Sequence, residues 1–232
     1  MTKPDEAKKQ LVIFGIGRAA AVAERYFRSD TPHEVVAYTV DPEYLQGREF
    51  LGRPVVLIDD VLNRFPPSDV YAFVPMGATR MNALRTEKYT LLKSLGYHFV
   101  SYIHSSNDIS EKGTVGENCF ILERQTTNYD CAIGDNVMMW SGCHVGDASR
   151  IGNNCFLGSH VVVNGFVEVG ESCYLASNCT IAHSVKIGSR SFIGGNALIA
   201  NDTAENAVHI VEPTKAIGID SLRFLKILRH DV

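Results

Sequence analysis

From Ile103 to Ile199 an apolar residue returns at every sixth position, through Ile103, Ile109, Val115 and Ile121 and on to Ile181, Ile187, Ile193 and Ile199, with Thr127 the one polar exception. Neither a helix nor an ordinary strand has that period. It is the mark of a β-helix, in which each six-residue unit is a short strand plus a corner and stacked coils share one core. Two residues before each apolar position stands a smaller side chain, among them Cys119, Val137, Cys143, Ser149, Cys155, Val161, Cys173, Val185 and Ala197. Both positions point inward. The residue after the apolar one is often glycine, including Gly116, Gly134, Gly152 and Gly170, which the pattern predicts at corners of unusual φ. Three units make a triangular coil of eighteen residues, so the stretch predicts about five coils at roughly 4.8 Å spacing, about 25 Å in all.

The residue between the two inward positions faces outward, and sorting by eighteen gives three faces. The first carries Tyr102, Phe120, Met138, Phe156, Tyr174 and Phe192, the second Asp108, Thr126, His144, Val162, Thr180 and Leu198, and the third Thr114, Ala132, Arg150, Glu168 and Lys186. An aromatic ladder of that size is too large an apolar patch to leave in water. The expectation is a homotrimer in which a neighbouring subunit or the C-terminal helix covers the first face, the cover extending to part of the second.

Upstream the pattern changes. An apolar run from Leu11 ends in Gly15-Ile16-Gly17-Arg18-Ala19-Ala20 and a helical stretch through Phe27; strands follow at 34–40, 55–58 and 70–74, a helix at about 79–95 and a strand at 99–103. Strands alternating with helices predict a parallel sheet. The fold class expected is therefore α/β, a small Rossmann-like domain (1–102) followed by a β-helix (103–202) and a tail with an amphipathic helix from Ser221 to Arg229 (203–232) that caps or packs on the coils, the repeat having stopped at Ile199. About 100 residues suffice for one mononucleotide-binding half. Backbone N–H groups at the Gly15–Gly17 turn, with Arg18, are candidates to hold phosphate oxygens. Asp41, Gly77, Arg80 and Asn82 fall at or after strand ends, where open α/β sheets bind ligands. An NAD site with Asp41 on the ribose is the competing reading, and the domain size favours a nucleoside-diphosphate sugar.

Composition narrows the partners. The 232 residues are 45% hydrophobic and 21% charged, with net charge -4, and no basic stripe occurs, so nucleic acid is not expected as a partner. The opening MTKPDEAKKQ has no apolar signal segment and no run reaches eighteen apolar residues, so neither membrane insertion nor export is expected and the location is read as cytoplasmic. All six cysteines share the small inward phase of the repeat, which makes them packing residues rather than metal or redox ligands.

A small Rossmann-like domain followed by hexapeptide coils, with Gly15-Ile16-Gly17, Tyr102-Ile103-His104-Ser105, Asp130-Cys131-Ala132-Ile133-Gly134 and Ile193-Gly194-Gly195-Asn196-Ala197, resembles the bacterial sugar acyltransferases that include sialic acid O-acetyltransferases and nucleotide-amino-sugar N-acetyltransferases. The resemblance implies a left-handed parallel β-helix, a trimer, acetyl-CoA as co-substrate along the coils near Gly158, Ala176, Gly194, Gly195 and Lys215, no metal, and a nucleotide-linked amino sugar held by the first domain. Two places depart from the pattern. The position before the acidic residue of the family's His-Asp-Cys motif, where better-known members carry a catalytic histidine, is Tyr129 here, beside Asp130. The family's closing Gly-x-Pro-Ala-Lys reads Val211-Glu212-Pro213-Thr214-Lys215.

N-acylation needs a group to accept the amine proton, and histidine is the natural type because imidazole titrates near neutral pH. His144 on the second face is the expected base, with His160 one coil on as neighbour and second candidate, and Asp147 or Asp130 orienting the ring. Tyr129 is expected at the substrate. A γ-type carbonic anhydrase with zinc on His144, His160 and His183 is an alternative, and a nucleotide-sugar-binding scaffold without activity is another.

Overall fold

A computed structural model describes residues 7–107, 109 and 113–228. In the N-terminal domain, β1 (Gln10–Phe14), β2 (Glu34–Val40), β3 (Glu49–Phe50), β4 (Arg53–Leu57) and β5 (Tyr71–Phe73) form one sheet in the order β3-β4-β2-β1-β5, parallel except for β3 against β4. Helices α1 (Arg18–Asp30), α2 (Val61–Arg64) and α3 (Ala83–Ser94) connect them. Residues of β1 face two separate cores: Leu11 and Ile13 pack with α1's Ala20, Ala23 and Phe27, whereas Val12 and Phe14 pack with α3's Tyr89 and Leu92. That alternation of near-continuous apolar strands is what a sheet covered on both faces requires.

Two sequence expectations are corrected in this domain. The helix expected from Thr79 starts at Ala83, because Arg80, Met81 and Asn82 are all left-handed, with φ of 53°, 52° and 68°. The strand expected at 99–103 does not form: Phe99 makes a single bridge to Ala72, and Tyr102–Ile103 pairs instead with Phe120–Ile121 as the first rung of the coils.

From there the chain is a parallel β-helix with three sheets. Their rungs follow the eighteen-residue sorting: Tyr102, Phe120, Met138, Phe156, Tyr174 and Phe192 stack on the first face, Thr126, His144, Val162, Thr180 and Leu198 on the second, and Thr114, Ala132, Arg150, Glu168 and Lys186 on the third. Asp108, expected as the first rung of the second face, lies outside the described residues. Both inward columns are buried in one continuous core. All six cysteines are free and buried in it, and burial pushes the Cys119 thiol up to about 12 and the Cys143 thiol up to about 11, so neither is a nucleophile near neutral pH.

The corner glycines serve a purpose other than the expected one. Those after the apolar position do not have positive φ; the left-handed residue comes two places later, at a position of the six-residue repeat that holds Asn118, Asn136 and Asn154 at one corner and Asn178 and Asn196 at another. Asparagine tolerates that conformation better than most residues. The glycine is needed because the next coil is too close: a Cβ on Gly152 would sit 2.7 Å from the carbonyl carbon of Gly170 and 2.8 Å from the nitrogen of Glu171.

The coils do not end at Ile199. After an irregular 201–207 segment, Val208–His209 adds a seventh rung to the first face by pairing with Phe192–Ile193. The C-terminal helix α4 (Ser221–Leu228) neither caps nor packs on the coils of its own chain; each of its described residues is exposed, and Arg229 lies outside the described residues.

Candidate active site

The lower rungs of the first face are not left for another subunit. Tyr102, Phe120 and Met138 share one buried core with Leu11, Phe27 and Phe73 of the N-terminal domain. Tyr26 of α1 is wedged against them, its ring 5.4 Å from Tyr102 and 5.8 Å from Phe120, and its hydroxyl donates to Glu123 Oε2 at 3.0 Å. The chain therefore covers half of its own aromatic ladder.

Where this packing stops, a cleft of about 250 Å³ opens between the domains. One wall is Arg18, Ala19 and Val22 at the start of α1 with Pro75, Met76 and Gly77 after β5; the other is Phe120, Met138, Trp140 and Phe156 of the coils. It lies at the carboxyl ends of β1 and β5, with the N-terminus of α1 beside it, as expected for a ligand of an open α/β sheet. Gly15 (φ 98°) makes the turn into α1, and its N–H donates to Thr39 O at 2.8 Å. Gly17 is the residue before the first helical turn, and a Cβ placed on it would meet open space.

The remaining sequence candidates in this domain separate. Asp41 is held by Lys88, whose Nζ lies 2.9 Å away and also reaches Glu87 at 3.0 Å. Burial alone would depress the Lys88 ammonium, yet these two carboxylates outweigh it and raise its pKa. Arg80 turns to Glu87 at 2.8 Å. Asn82 is fully buried and its Nδ2 donates to the carbonyls of Ser172 and Cys173 at 3.2 and 3.1 Å, so it fastens α3 to the coils and does not face the cleft.

On the coils, the corner after the first face carries Trp140, Gly142 and His160, and leads to His144 on the second face. Trp140 is 41% exposed at the cleft rim. His160 is exposed and left-handed (φ 60°), and its ring fills the space over Gly142: a Cβ on that glycine would be 2.5 Å from His160 Nδ1. His144 is half-buried, in register with Thr126 and Val162. The two histidines are on adjacent coils, His144 N donating to Val161 O and His160 N to Ser141 O. Asp147, Asp130 and Tyr129 occupy the opposite corner, after the second face. Asn128 Nδ2 donates to Asp147 at 3.3 Å, and Tyr129 is 65% exposed. His183 also lies at that corner, against Phe166. Within one chain, the described residues contain no group of three His, Cys, Asp or Glu able to hold a metal, so the three histidines of the carbonic anhydrase reading are not brought together.

Of the positions read as coenzyme A contacts, Gly158, Ala176 and Gly194 stack in one column, Gly158 N donating to Leu175 O, Ala176 N to Ile193 O and Gly194 N to His209 O. Gly158 and Gly194 are buried, Gly195 is exposed, and Lys215 is exposed in the tail.

Sequence reading missed the residue that ties these parts together. Arg85 is 0% exposed and, among the described residues, has no carboxylate partner. Its Nε donates to Asn136 O, its Nη1 to Met76 O, Gly77 O and Asn82 Oδ1, and its Nη2 to Asn154 O and Cys155 O, at 2.8–3.3 Å. Burial pushes the guanidinium down to about 10, which leaves it cationic at neutral pH. The ladder Asn118–Asn136–Asn154 runs beside it, and Asn118 Oδ1 accepts the N–H of Val74 at the end of β5. The asparagines at eighteen-residue spacing were the available signal.

Comparison with known proteins agrees with this architecture. Residues 129–165 and 166–201 match the family model for the bacterial transferase hexapeptide (six repeats). No curated protein sequence matches the chain significantly. Among solved structures, PerB from Caulobacter crescentus, in complex with CoA and GDP-perosamine, is 26% identical over 90% of this chain and 97% of its own, with a TM-score of 0.75. A histidine-to-asparagine mutant of perosamine N-acetyltransferase from the same organism gives 27%, the same coverage and 0.76. The acetyltransferase domain of PglB from Neisseria gonorrhoeae FA1090, in complex with acetyl coenzyme A, is 17% identical and shares the fold, with a TM-score of 0.75 over 91% of this chain and 100% of its own. The two-domain architecture is similar to that of PerB along nearly the whole of both chains.

Proposed function

We propose that this protein is an acyltransferase that moves an acetyl group from acetyl-CoA to the amino group of a nucleotide-linked amino sugar. The observation that carries the reading is the interdomain cleft: a helix N-terminus and the strand ends of an α/β domain form one wall, hexapeptide coils form the other, and the overall chain is similar to PerB, whose structure holds CoA and GDP-perosamine. The phosphates lie at Gly15, Gly17 and Arg18, the sugar extends past Gly77 toward Trp140, and coenzyme A runs along the coils near Ala176 and Gly195. The sugar nitrogen attacks the thioester carbonyl, the C–S bond breaks, the thiolate leaves, and the amine proton passes to a base. His144 is that base, with His160 at the adjoining corner binding substrate or taking its place. Asp147 and Asp130 lie across the second face, so any part they play runs through the far edge of that face or through a neighbouring subunit. The assembly is a homotrimer and its location cytoplasmic.

A nucleotide-sugar-binding scaffold is the second reading, favoured by Tyr129 at the place of the family's histidine. One assay separates the two. Acetyl-CoA and a panel of GDP-, UDP- and dTDP-linked amino sugars, followed by mass spectrometry, should yield one N-acetylated product; binding of a nucleotide sugar with no turnover on any of them leaves the scaffold. In the same assay His144→Asn should lower kcat by roughly 10²-fold while the nucleotide-sugar KM stays nearly unchanged. A kcat within a few-fold of wild type transfers the role to His160 or to the leaving thiolate.

A further inference from the structure

Arg85 touches both walls of the cleft from behind. Its Nη1 donates to the carbonyls of Met76 and Gly77, both at 3.1 Å, and those two residues line the α/β wall. Its Nη2 donates to Asn154 O and Cys155 O, at 2.8 and 3.1 Å, directly before Phe156, which lines the coil wall. Its Nε donates to Asn136 O at 3.2 Å, two residues before Met138 of the same wall. A guanidinium is planar and rigid, so its donors lie at fixed separations. From this geometry we infer that Arg85 is a positioning residue that sets the width of the substrate cleft, by holding the 75–77 segment at a fixed distance from Met138 and Phe156.

The inference rests on the cleft being the nucleotide-sugar site. Its energetic logic is that of a buried cation satisfied entirely by carbonyl dipoles and one amide oxygen. A purely mechanical staple needs no charge, as Asn82 shows by fastening α3 to the coils through neutral hydrogen bonds. An arginine is needed where five or six acceptors from separate segments must be gathered around one rigid group. A lysine has one nitrogen in place of three, so it cannot bridge the two walls at the same spacing.

Arg85→Lys is the test, with KM measured separately for the two substrates. The nucleotide-sugar KM should rise by about tenfold, the acetyl-CoA KM should stay within twofold, and kcat should fall less than the nucleotide-sugar kcat/KM. A folded variant whose two KM values are both within twofold of wild type, or rise together, overturns the inference even if its Tm drops, because loss of stability alone does not select one substrate. If Arg85→Lys does not fold, Asn82→Ala gives the same reading more weakly. It removes the guanidinium's one side-chain acceptor together with the Asn82 bonds to Ser172 O and Cys173 O, so the nucleotide-sugar KM should rise about threefold with the acetyl-CoA KM unchanged, and an unchanged nucleotide-sugar KM, or a rise in both KM values, counts against the inference. Wild-type protein is the control that separates the two hypotheses: without turnover or nucleotide-sugar binding in wild type, the functional reading fails first.

Discussion

Tyr102, Phe120 and Met138 occupy the same outward column as Phe156, Tyr174 and Phe192, one rung below another on one sheet, yet their surroundings differ. The lower three are buried against α1 and β5, and the rings of Tyr102 and Phe120 lie tilted or edge-on to Tyr26, Phe27 and Phe73 at 5.4–5.8 Å. The upper three keep the spacing of the sheet itself. Phe156 and Tyr174 stack at 5.2 Å and 7°, Tyr174 and Phe192 at 5.0 Å and 2°, all half-exposed. Parallel rings follow where no side chain of a second layer is wedged between the rungs, Phe156 meeting the N-terminal domain's core at its edge; tilted rings follow from interdigitation with a second layer, which edge-to-face contacts favour. A hexapeptide column thus specifies which side chains point outward, and tertiary contacts decide which of them become core.

The largest expected effect distinguishes the two halves by stability. Phe120→Ala removes a ring from a closed core and should destabilise the protein by about 3–5 kcal/mol. Tyr174→Ala should cost the fold of a single subunit under about 1.5 kcal/mol, since its own chain leaves the side chain half-exposed and any further loss comes from the subunit interface. Denaturant unfolding of the two variants would show it, and equal losses would mean that the upper rings are as enclosed as the lower.

Next comes assembly. In the trimer reading, the open half of the ladder is the part a neighbouring subunit covers, alone or with the apolar side of α4, where Leu222, Leu225, Ile227 and Leu228 are exposed. Phe192→Glu should then shift a trimer to monomer in light scattering at micromolar concentration, while Phe120→Ala should unfold before it dissociates. A wild-type monomer at that concentration sinks the trimer, and a trimeric Phe192→Glu moves the interface to another face.

The contrast also explains what could be read from the sequence. The inward columns, the three faces and the cysteine phase were legible because a stacked coil repeats one environment every eighteen residues, so each position is specified many times over. The first strands of the α/β domain were legible from apolar runs bounded by turn residues. What escaped was each place where a residue answers to one distant partner. Ile199 looked terminal because the 201–207 segment breaks the count, although Val208–His209 resumes the ladder. Phe99–Ile103 looked like a fifth strand of the α/β sheet because its residues are apolar, yet Tyr102 belongs to the coils. The candidate cleft was half legible: Arg18 and Gly77 line it and Gly15 and Gly17 form the turn just before Arg18, while Met138 and Phe156 were read as part of one undivided ladder and Trp140 stands at a corner outside that ladder. Arg85, inside an ordinary helical pattern, carried no local signal of its own.

The smallest expected effect concerns the clip that holds the covered half closed. Asp30, the last residue of α1, accepts from Tyr102 Oη at 2.9 Å and from Ser105 N at 2.8 Å through Oδ2, and from the Ser105 hydroxyl through Oδ1. Burial alone would raise its pKa, but the hydroxyl and N–H of Ser105, the Tyr102 hydroxyl and nearby His104 outweigh it, so the carboxyl is held below its ordinary value of 3.8. A carboxylate depressed in the folded state stabilises fully above its unfolded pKa and ceases to do so as pH falls through the folded value. Asp30→Asn should therefore lower Tm by about 2–4 °C between pH 6 and 8, the shift that roughly 1 kcal/mol produces in a chain of this length. The gap to wild type should narrow once pH drops below about 4 and close at lower pH as Asp30 itself is protonated. A gap that stays constant down to pH 3 would assign the effect to altered hydrogen-bond geometry at Ser105, and the charge of Asp30 would then have no part in keeping α1 on the aromatic ladder.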